Sequence, residues 1–224
     1  MNILLASVSP VIIIIVYIYF KDKFEKEPKK LLLYNFLFGA IVSILISTIL
    51  YKITDSIVPL RNHFSVLEQL FKAFFVVALI EEFSKYVIVR FYAQPKKDFN
   101  EPFDGIVYAV MVSMGFAAVE NIFYVVEGGM EVALIRAFTA IPAHATFGII
   151  MGYFMGKAKF TNQRAKWNLI GLLSAILFHG AYDFFLFINF IPGISIGAFI
   201  SLLIGIILAR KAIKLHQKNS NFRV

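Results

Sequence analysis

Long apolar runs alternate with short polar segments along the whole chain, and this alternation predicts its architecture. Each run approaches the roughly 20 apolar residues that a helix needs to cross a bilayer. The polar breaks carry proline, glycine or clustered charges, as in KDKFEKEPKK after the first run and EGGME around Gly128 and Gly129. We therefore predict seven helices, at about residues 3–20, 31–51, 66–92, 103–126, 131–157, 167–189 and 193–210.

The basic residues fall in alternate loops. Most of the 22 Lys and Arg lie in the first, third and fifth loops or after the last predicted helix, where Arg210, Lys211, Lys214, Lys218 and Arg223 follow. The positive-inside rule therefore predicts an outer N-terminus and a cytoplasmic C-terminus. The first apolar run precedes a basic segment rather than a small-residue cleavage site, so we expect an uncleaved membrane span.

The composition agrees with a membrane protein. Hydrophobic residues make up 59% of the chain and the mean hydropathy is +0.77, whereas soluble proteins are about 45–50% apolar. We predict one all-α, membrane-embedded domain over residues 1–224, a multi-pass helix bundle of the cell membrane that contacts the lipid bilayer. The net charge of +8 includes no basic stretch interleaved with aromatics, so no nucleic-acid partner is expected. The absence of cysteine excludes disulfides and thiolate chemistry.

Two adjacent acids and a lysine interrupt the third apolar run. A charged side chain at a helix centre costs roughly 2.5–3.5 kcal/mol on insertion scales, so intramembrane charges indicate a functional site. Glu81 and Lys85 share a helix face, whereas Glu82 is rotated by about 100°. One carboxylate can pair with Lys85 while the other stays free to take a proton from water. The structural alternative is a charge-compensated pair that only fixes the packing of the helices.

Two histidines lie in later apolar runs. His144 follows Pro142 and precedes Gly148, and His179 is four residues from Asp183. An aspartate at that spacing can bind one imidazole nitrogen and direct the other toward water, metal or substrate. A single membrane histidine often serves only as a hydrogen-bonding residue between helices, but two histidines with several acids favour chemistry.

Glu120 and Asn121 add polar groups to the fourth predicted helix. At about 1.5 Å per residue, Glu120 is expected to lie nearer the outer surface than Glu81 or the histidines. Arg136 lies near a predicted helix end, where its side chain can snorkel to the interface.

This set of residues meets the needs of peptide hydrolysis. Glu81 or Glu82 can act as general base, and His144 and His179 can stabilise the oxyanion and protonate the leaving amine. A metal-free site without cofactor is one solution. A zinc site built from Glu81, His144 and His179, with the other glutamate as base, is equally compatible, although the H-E-x-x-H signature is absent.

Four motifs, in this order on four successive predicted helices, resemble the PrsW family of intramembrane proteases: E-E-x-x-K at residues 81–85, F-x-x-x-E-N at 116–121, H-x-x-x-G at 144–148 and H-x-x-x-D at 179–183. The upstream segments EPKKLLL (27–33) and FDGIVYAVMVSMGFAAVEN (103–121) look like that family as well. The likeness covers most of the chain.

The resemblance implies membership of the superfamily of type II CAAX prenyl endopeptidases, whose members are helix bundles with a water-accessible cavity. It implies catalytic roles for Glu81, Glu82, Glu120, His144 and His179, supported by Lys85, Asn121 and Asp183. Glu120 stands where the prenyl proteases have His, and Asp183 where they often have Asn. The resemblance therefore implies PrsW-like site-1 cleavage of a single-span anti-sigma factor, on the outer side of the membrane, rather than cleavage of a prenylated substrate.

Two other functions use the same residues. A proton-coupled transporter would employ the buried acids and histidines as a relay, although no internal repeat typical of many transporters is evident. A catalytically silent membrane scaffold would use them only to hold helices together.

Overall fold

The protein is helical throughout the part that its structure describes. The computed structural model covers residues 3–220 and 222, so Arg223 of the predicted charge pattern lies outside the described residues, as do Met1, Asn2, Asn221 and Val224. No β-strand occurs between residues 3 and 220, which agrees with the predicted all-α class. The helices are α1 (Ile3–Lys21), α2 (Lys29–Ile57), α3 (residues 66–93), α4 (Pro102–Phe138), α5 (Ala140–Lys159), α6 (Arg164–Phe187) and α7 (Ile196–Lys218).

Membrane crossing is supported by length and composition. Five helical stretches among the described residues are long and apolar enough to span: α1, α2, the stretch Pro102–Lys159 that joins α4 and α5, α6, and α7. Helix α3 does not reach that standard, since it carries Glu81, Glu82 and Lys85 near its middle. The chain is thus a multi-pass membrane protein, while the count of seven crossings and the orientation stay predictions.

Helix α4 forms the centre of the bundle. Every residue from Phe103 to Ala118 is buried, and α1, α2 and α5 pack around this segment. The outward faces of the surrounding helices carry large exposed apolar side chains such as Ile13, Leu45 and Ile207. In water such faces would be unfavourable, but in a bilayer they contact lipid.

Glycines bring α5 close to α4. Gly148, Gly152 and Gly156 are spaced by four residues and face α4 together. A Cβ atom on Gly152 would lie 2.3 Å from the Gly105 carbonyl oxygen, and one on Gly156 would lie 2.0 Å from that of Pro102. Small residues at this spacing let membrane helices pack backbone against backbone.

Helices α2 and α3 contain wide π-helical turns. One spans Gly39–Ser43 in α2, and two span Lys72–Ala78 and Val89–Ala93 in α3. A π turn rotates the residues after it relative to a regular α-helix, and such turns are frequent at functional sites. The turn at Lys72–Ala78 directly precedes the segment with Glu81 and Glu82.

Several predicted helix boundaries are wrong. The expected fifth helix at 131–157 would have had Pro142 in its interior, where proline removes a hydrogen bond and clashes. Instead α4 continues through a kink at Gly129 (φ 75°, ψ −162°) to Phe138, and α5 starts at Ala140 with Pro142 in its first turn. The last helix extends past residue 210 to Lys218, because Ala212, Ile213 and His216 form a buried face that continues its packing.

Candidate active site

Three buried charges on α3 form the centre of the site. Glu81, Glu82 and Lys85 are only 4%, 0% and 1% exposed. Lys85 Nζ lies 2.7 Å from Glu82 Oε1 and 3.5 Å from Glu81 Oε2. Because Glu81 and Lys85 share a helix face, their spacing favours a pair between them. In the structure the shorter contact of Lys85 is with Glu82, so Glu81 is less tightly bound.

Helix α6 brings His179 between carboxylates. Its Nδ1 atom lies 2.9 Å from Glu82 Oε1, and its Nε2 atom lies 3.2 Å from Asp183 Oδ2 and 4.0 Å from Glu81 Oε2. Asp183 therefore faces the imidazole at the predicted spacing of four residues. The Phe147 ring stacks on the imidazole at a centroid distance of 4.9 Å, so the ring is held both by polar contacts and by packing.

Helices α4 and α5 contribute Glu120 and His144, which contact each other. His144 Nε2 lies 2.9 Å from Glu120 Oε2, and its Nδ1 lies 3.3 Å from Lys85 Nζ. An ammonium can only donate, so this arrangement is satisfied when Nδ1 accepts from Lys85 and Nε2–H donates to Glu120. The expectation that Glu120 lies above the histidines is wrong. Helix α4 begins with side chains that are already buried in the bundle, at Phe103 and Asp104, so a count of residues from the polar segment before it does not give the position of Glu120 relative to His144.

Arg136 joins the site instead of reaching the membrane surface. Its Nη2 donates to Glu120 Oε2 at 2.6 Å and its Nε donates to Asn121 Oδ1 at 2.7 Å. The expected snorkelling is wrong because the kink at Gly129 turns the last part of α4 back toward the first. Asn121 also donates to the Ser7 carbonyl of α1 at 2.8 Å, so it links three parts of the bundle.

Sequence reasoning missed Tyr51. Its hydroxyl donates to Glu81 Oε1 at 2.8 Å. One and two turns earlier on the same face of α2, Ser47 and Ser43 contact the Ser84 hydroxyl, which in turn donates to the Glu81 carbonyl at 2.7 Å. Polar residues at 43, 47 and 51, spaced by four in α2, were the available signal for this face.

These side chains surround one cavity of about 630 Å³. Among the predicted residues, Glu81, Glu120, His144, His179 and Asp183 line it. Tyr51 and Arg136 line it as well. The other three predicted residues do not line the cavity but contact residues that do, and these contacts position the lining side chains: Glu82, Lys85 and Asn121. The structure thus brings all eight predicted residues into one cluster, while their catalytic roles stay predictions.

Two sets of side chains in this cluster have the spacing of a metal site. The first is Glu81, Glu120 and His144, and the second is Glu81, Glu82 and His179. Within each set the possible ligand atoms lie within 4.8 Å of one another. Glu81 belongs to both, so the trio predicted from the sequence is divided between them.

Comparison with known proteins points to a single family. The family described as PrsW family intramembrane metalloprotease matches residues 27–209. A protein named Protease PrsW from Oceanobacillus iheyensis is 40% identical over 187 residues, which cover 83% of this chain and 83% of the relative. Proteins of the same name from Bacillus subtilis and Clostridioides difficile are 36% and 34% identical, over 81% and 85% of this chain and 81% of each relative. No solved structure matches the chain. The agreement in sequence over most of its length shows that this multi-pass membrane protein belongs to the PrsW family of intramembrane proteases.

Proposed function

We propose that the chain is an endopeptidase that hydrolyses a membrane-anchored protein with a water molecule activated by Glu81. The observation that carries this proposal is the cavity, around which Glu81, Glu120, His144 and His179 converge from four helices. Ionisable groups inside a membrane protein are costly and mark functional sites. A catalytically silent bundle would gain little from directing so many of them into one space.

The two adjacent glutamates, Glu81 and Glu82, have different roles in this proposal. Glu81 lines the cavity, whereas Glu82 is fully buried and held by Lys85 and His179. A general base must reach the water whose proton it takes. Glu81 therefore acts as the base, and Glu82 positions the lysine and the histidine.

The histidines stabilise charge that develops on the substrate. His144 and His179 both line the cavity beside Glu81. Both ring nitrogens of each histidine contact protein groups in the structure, so an imidazole N–H stabilises the oxyanion when the substrate carbonyl replaces one of these contacts. The proton taken by Glu81 can return to the leaving amine. Glu120 orients His144 through the 2.9 Å contact, and Asp183 orients His179 through the 3.2 Å contact.

The residues also fit a metal ion, as the description of the family implies. Carboxylate and imidazole are ligands of zinc, and both sets around Glu81 offer them within 4.8 Å. Glu81 would hold the ion with Glu120 and His144, or with Glu82 and His179. A bound ion would polarise the scissile carbonyl and favour ionisation of water.

The family resemblance supports a substrate, and the distribution of basic residues supports a topology. We propose a single-span protein such as an anti-sigma factor, cut on the outer side of the membrane in a site-1 step. We further propose that residues 1–224 form one domain with seven crossings, an outer N-terminus and a cytoplasmic C-terminus. Cleavage mapped by mass spectrometry to a cytoplasmic tail would contradict the proposed side.

The first test is Glu81→Gln in purified protein with a membrane-tethered peptide. Loss of a general base lowers turnover by about 10²- to 10⁴-fold. Glu127→Gln, at an exposed position on α4, is the matched control and should leave turnover unchanged. Full activity of Glu81→Gln would exclude this residue as the base.

Metal analysis of the same preparation separates the two mechanisms. Stoichiometric zinc together with loss of turnover on chelation would identify a metal-dependent site. Chelator-resistant turnover without bound metal would identify a glutamate-type protease in which the histidines act only as donors.

A further inference from the structure

A second cavity, which we call the loop cavity, adjoins the proposed active site. It has a volume of about 300 Å³ and is lined by the end of α2, the start of α3 and the segment that joins them. Tyr51, Lys72 and Val77 line both the loop cavity and the cavity of the proposed active site. The two cavities therefore meet at these three side chains, one of which contacts Glu81.

Three Lys or Arg side chains line the two cavities, and two of them are paired with acids. Arg61 donates to both carboxylate oxygens of Asp55 at 2.8 and 3.1 Å. Arg136 pairs with Glu120 at 2.6 Å. The third is Lys72, which forms no ion pair with any carboxylate in the described part of the chain.

The Lys72 side chain is positioned at the junction of the cavities by packing. It is half-buried, and its Nζ atom lies 5.3 Å from the centre of the Phe187 ring, which also lines the active-site cavity. A cation–π contact attracts the ammonium to the ring but supplies no negative charge. Hydrogen bonds between an ammonium and a carboxylate are about twice as strong as neutral ones. An unpaired lysine in this position therefore favours a ligand that brings a carboxylate.

The separation of Lys72 from Glu81 indicates where that carboxylate would lie on a peptide. Lys72 precedes Glu81 by nine residues, which corresponds to about 13 Å along the helix at 1.5 Å per residue. An extended peptide advances about 3.3 Å per residue. A side chain about four residues from the bond beside Glu81 would therefore reach Lys72.

We propose that the loop cavity binds an extended segment of the substrate and that Lys72 pairs with an aspartate or glutamate about three to five residues from the scissile bond. This inference rests on the proposed function, since it extends the substrate site from the cavity that Glu81 lines. The loop cavity offers hydroxyl, imidazole and aliphatic side chains to such a segment, at Thr54, His63 and Leu60. The segment between α2 and α3 also lies on the predicted outer side, where cleavage is proposed.

The test uses the full chain in detergent and membrane-tethered peptides that differ only in the position of one glutamate. The scissile bond is mapped by mass spectrometry, and a peptide with glutamine at every position is the reference. Glutamate about three to five residues from the bond, on one side of it, should raise kcat/KM about tenfold. Lys72→Gln should remove this preference, and Lys72→Glu should reverse it in favour of a peptide with lysine at the same position.

Lys52→Gln is the matched control, because Lys52 is an exposed neighbour of Tyr51 that lines neither cavity. It makes the same change of charge and should keep the preference for glutamate. The peptide series in the native chain requires no substitution, so it tests the inference even if the Lys72 variants do not fold. Equal kcat/KM for all peptides in the native chain, or an unchanged preference in folded Lys72→Gln, would overturn the inference.

A binding measurement separates this inference from the proposed function. Fluorescence anisotropy in the Glu81→Gln chain should give a Kd for the best glutamate peptide about tenfold below that of the glutamine peptide. Adding Lys72→Gln to that chain should remove the difference. Equal Kd values would overturn the inference even if no peptide is cleaved. Cleavage by the native chain without any charge preference would leave the proposed function intact and overturn the inference alone.

Discussion

At the scale of single residues, neighbours decide what identical side chains do. Glu81 and Glu82 are adjacent in sequence, yet Glu82 contacts Lys85 and His179 while Glu81 faces the cavity and receives the Tyr51 hydroxyl. Arg136 shows the same dependence, since its pairing with Glu120 requires the kink of α4. Residue type suggested the chemistry, and the contacts of each side chain support the role proposed for it.

Tyr51→Phe tests whether the hydroxyl positions the proposed base. A hydrogen bond to a charged group is worth roughly 1.5–3 kcal/mol, so we expect kcat to fall by about ten- to a hundredfold with little change in KM. The kcat and KM of Tyr51→Phe and of the native chain should be measured with the same tethered peptide used for Glu81→Gln.

Tyr34→Phe provides the control for Tyr51→Phe. Tyr34 lies on the same helix, and its ring is 49% exposed. Equal kcat for the native chain and Tyr51→Phe would show that the hydroxyl has only a structural role.

At the scale of helices, close backbone packing and π turns set the rotation of each face. The glycines of α5 let it approach α4, and the serine contacts fix α2 against α3. These contacts determine that His144 faces Glu120 and that Tyr51 faces Glu81. Small errors in helix rotation would separate both pairs.

Gly152→Ala is expected to destabilise the bundle. Its new methyl group would meet the Gly105 carbonyl oxygen at 2.3 Å, so backbone must shift. Overpacking of this kind costs about 1–3 kcal/mol. Thermal unfolding in detergent, followed by circular dichroism, should show a lower midpoint than in the native chain.

Gly148→Ala is the graded comparison on the same face. Its methyl group would approach the Ser113 Cβ at 3.0 Å and no backbone atom closer than 3.3 Å. We therefore expect a smaller loss. An unfolding midpoint for Gly152→Ala at or above that of Gly148→Ala would contradict the proposed close packing.

At the scale of the whole molecule, the bundle separates two polar regions along α4. The proposed active site surrounds Glu120, and four buried acids lie near the other end of α4: Asp22, Glu27, Glu101 and Asp104. The intervening segment of α4 is buried on all sides, which keeps the two regions apart.

The chain contains no cysteine, so single cysteine substitutions can test the predicted orientation without background labelling. Glu131→Cys, beyond the kink of α4, should react with a membrane-impermeant maleimide added to intact cells. Lys97→Cys, in the loop before α4, should react only after the membrane is permeabilised. Both positions are exposed in the structure. The opposite labelling pattern would reverse the proposed topology.

The sequence by itself determined the helical class, the membrane environment and the eight predicted residues that the structure brings into one cluster, but not Tyr51 or the place of Arg136. Those properties depend on local composition and on the 3.6-residue helical period, which any single segment carries. The same reasoning misplaced the start of α5, because Gly128 and Gly129 suggested a loop where the helix only kinks.

Only the tertiary structure decided which of these residues meet. The pairing of Lys85 with Glu82, of Glu120 with both His144 and Arg136, and of Tyr51 with Glu81 joins side chains on different helices or different turns. Such pairings depend on the depth, rotation and spacing of the helices. The buried start of α4, the π turns of α2 and α3 and the glycine contacts of α5 set those quantities, since they arise from packing between segments that are distant in sequence.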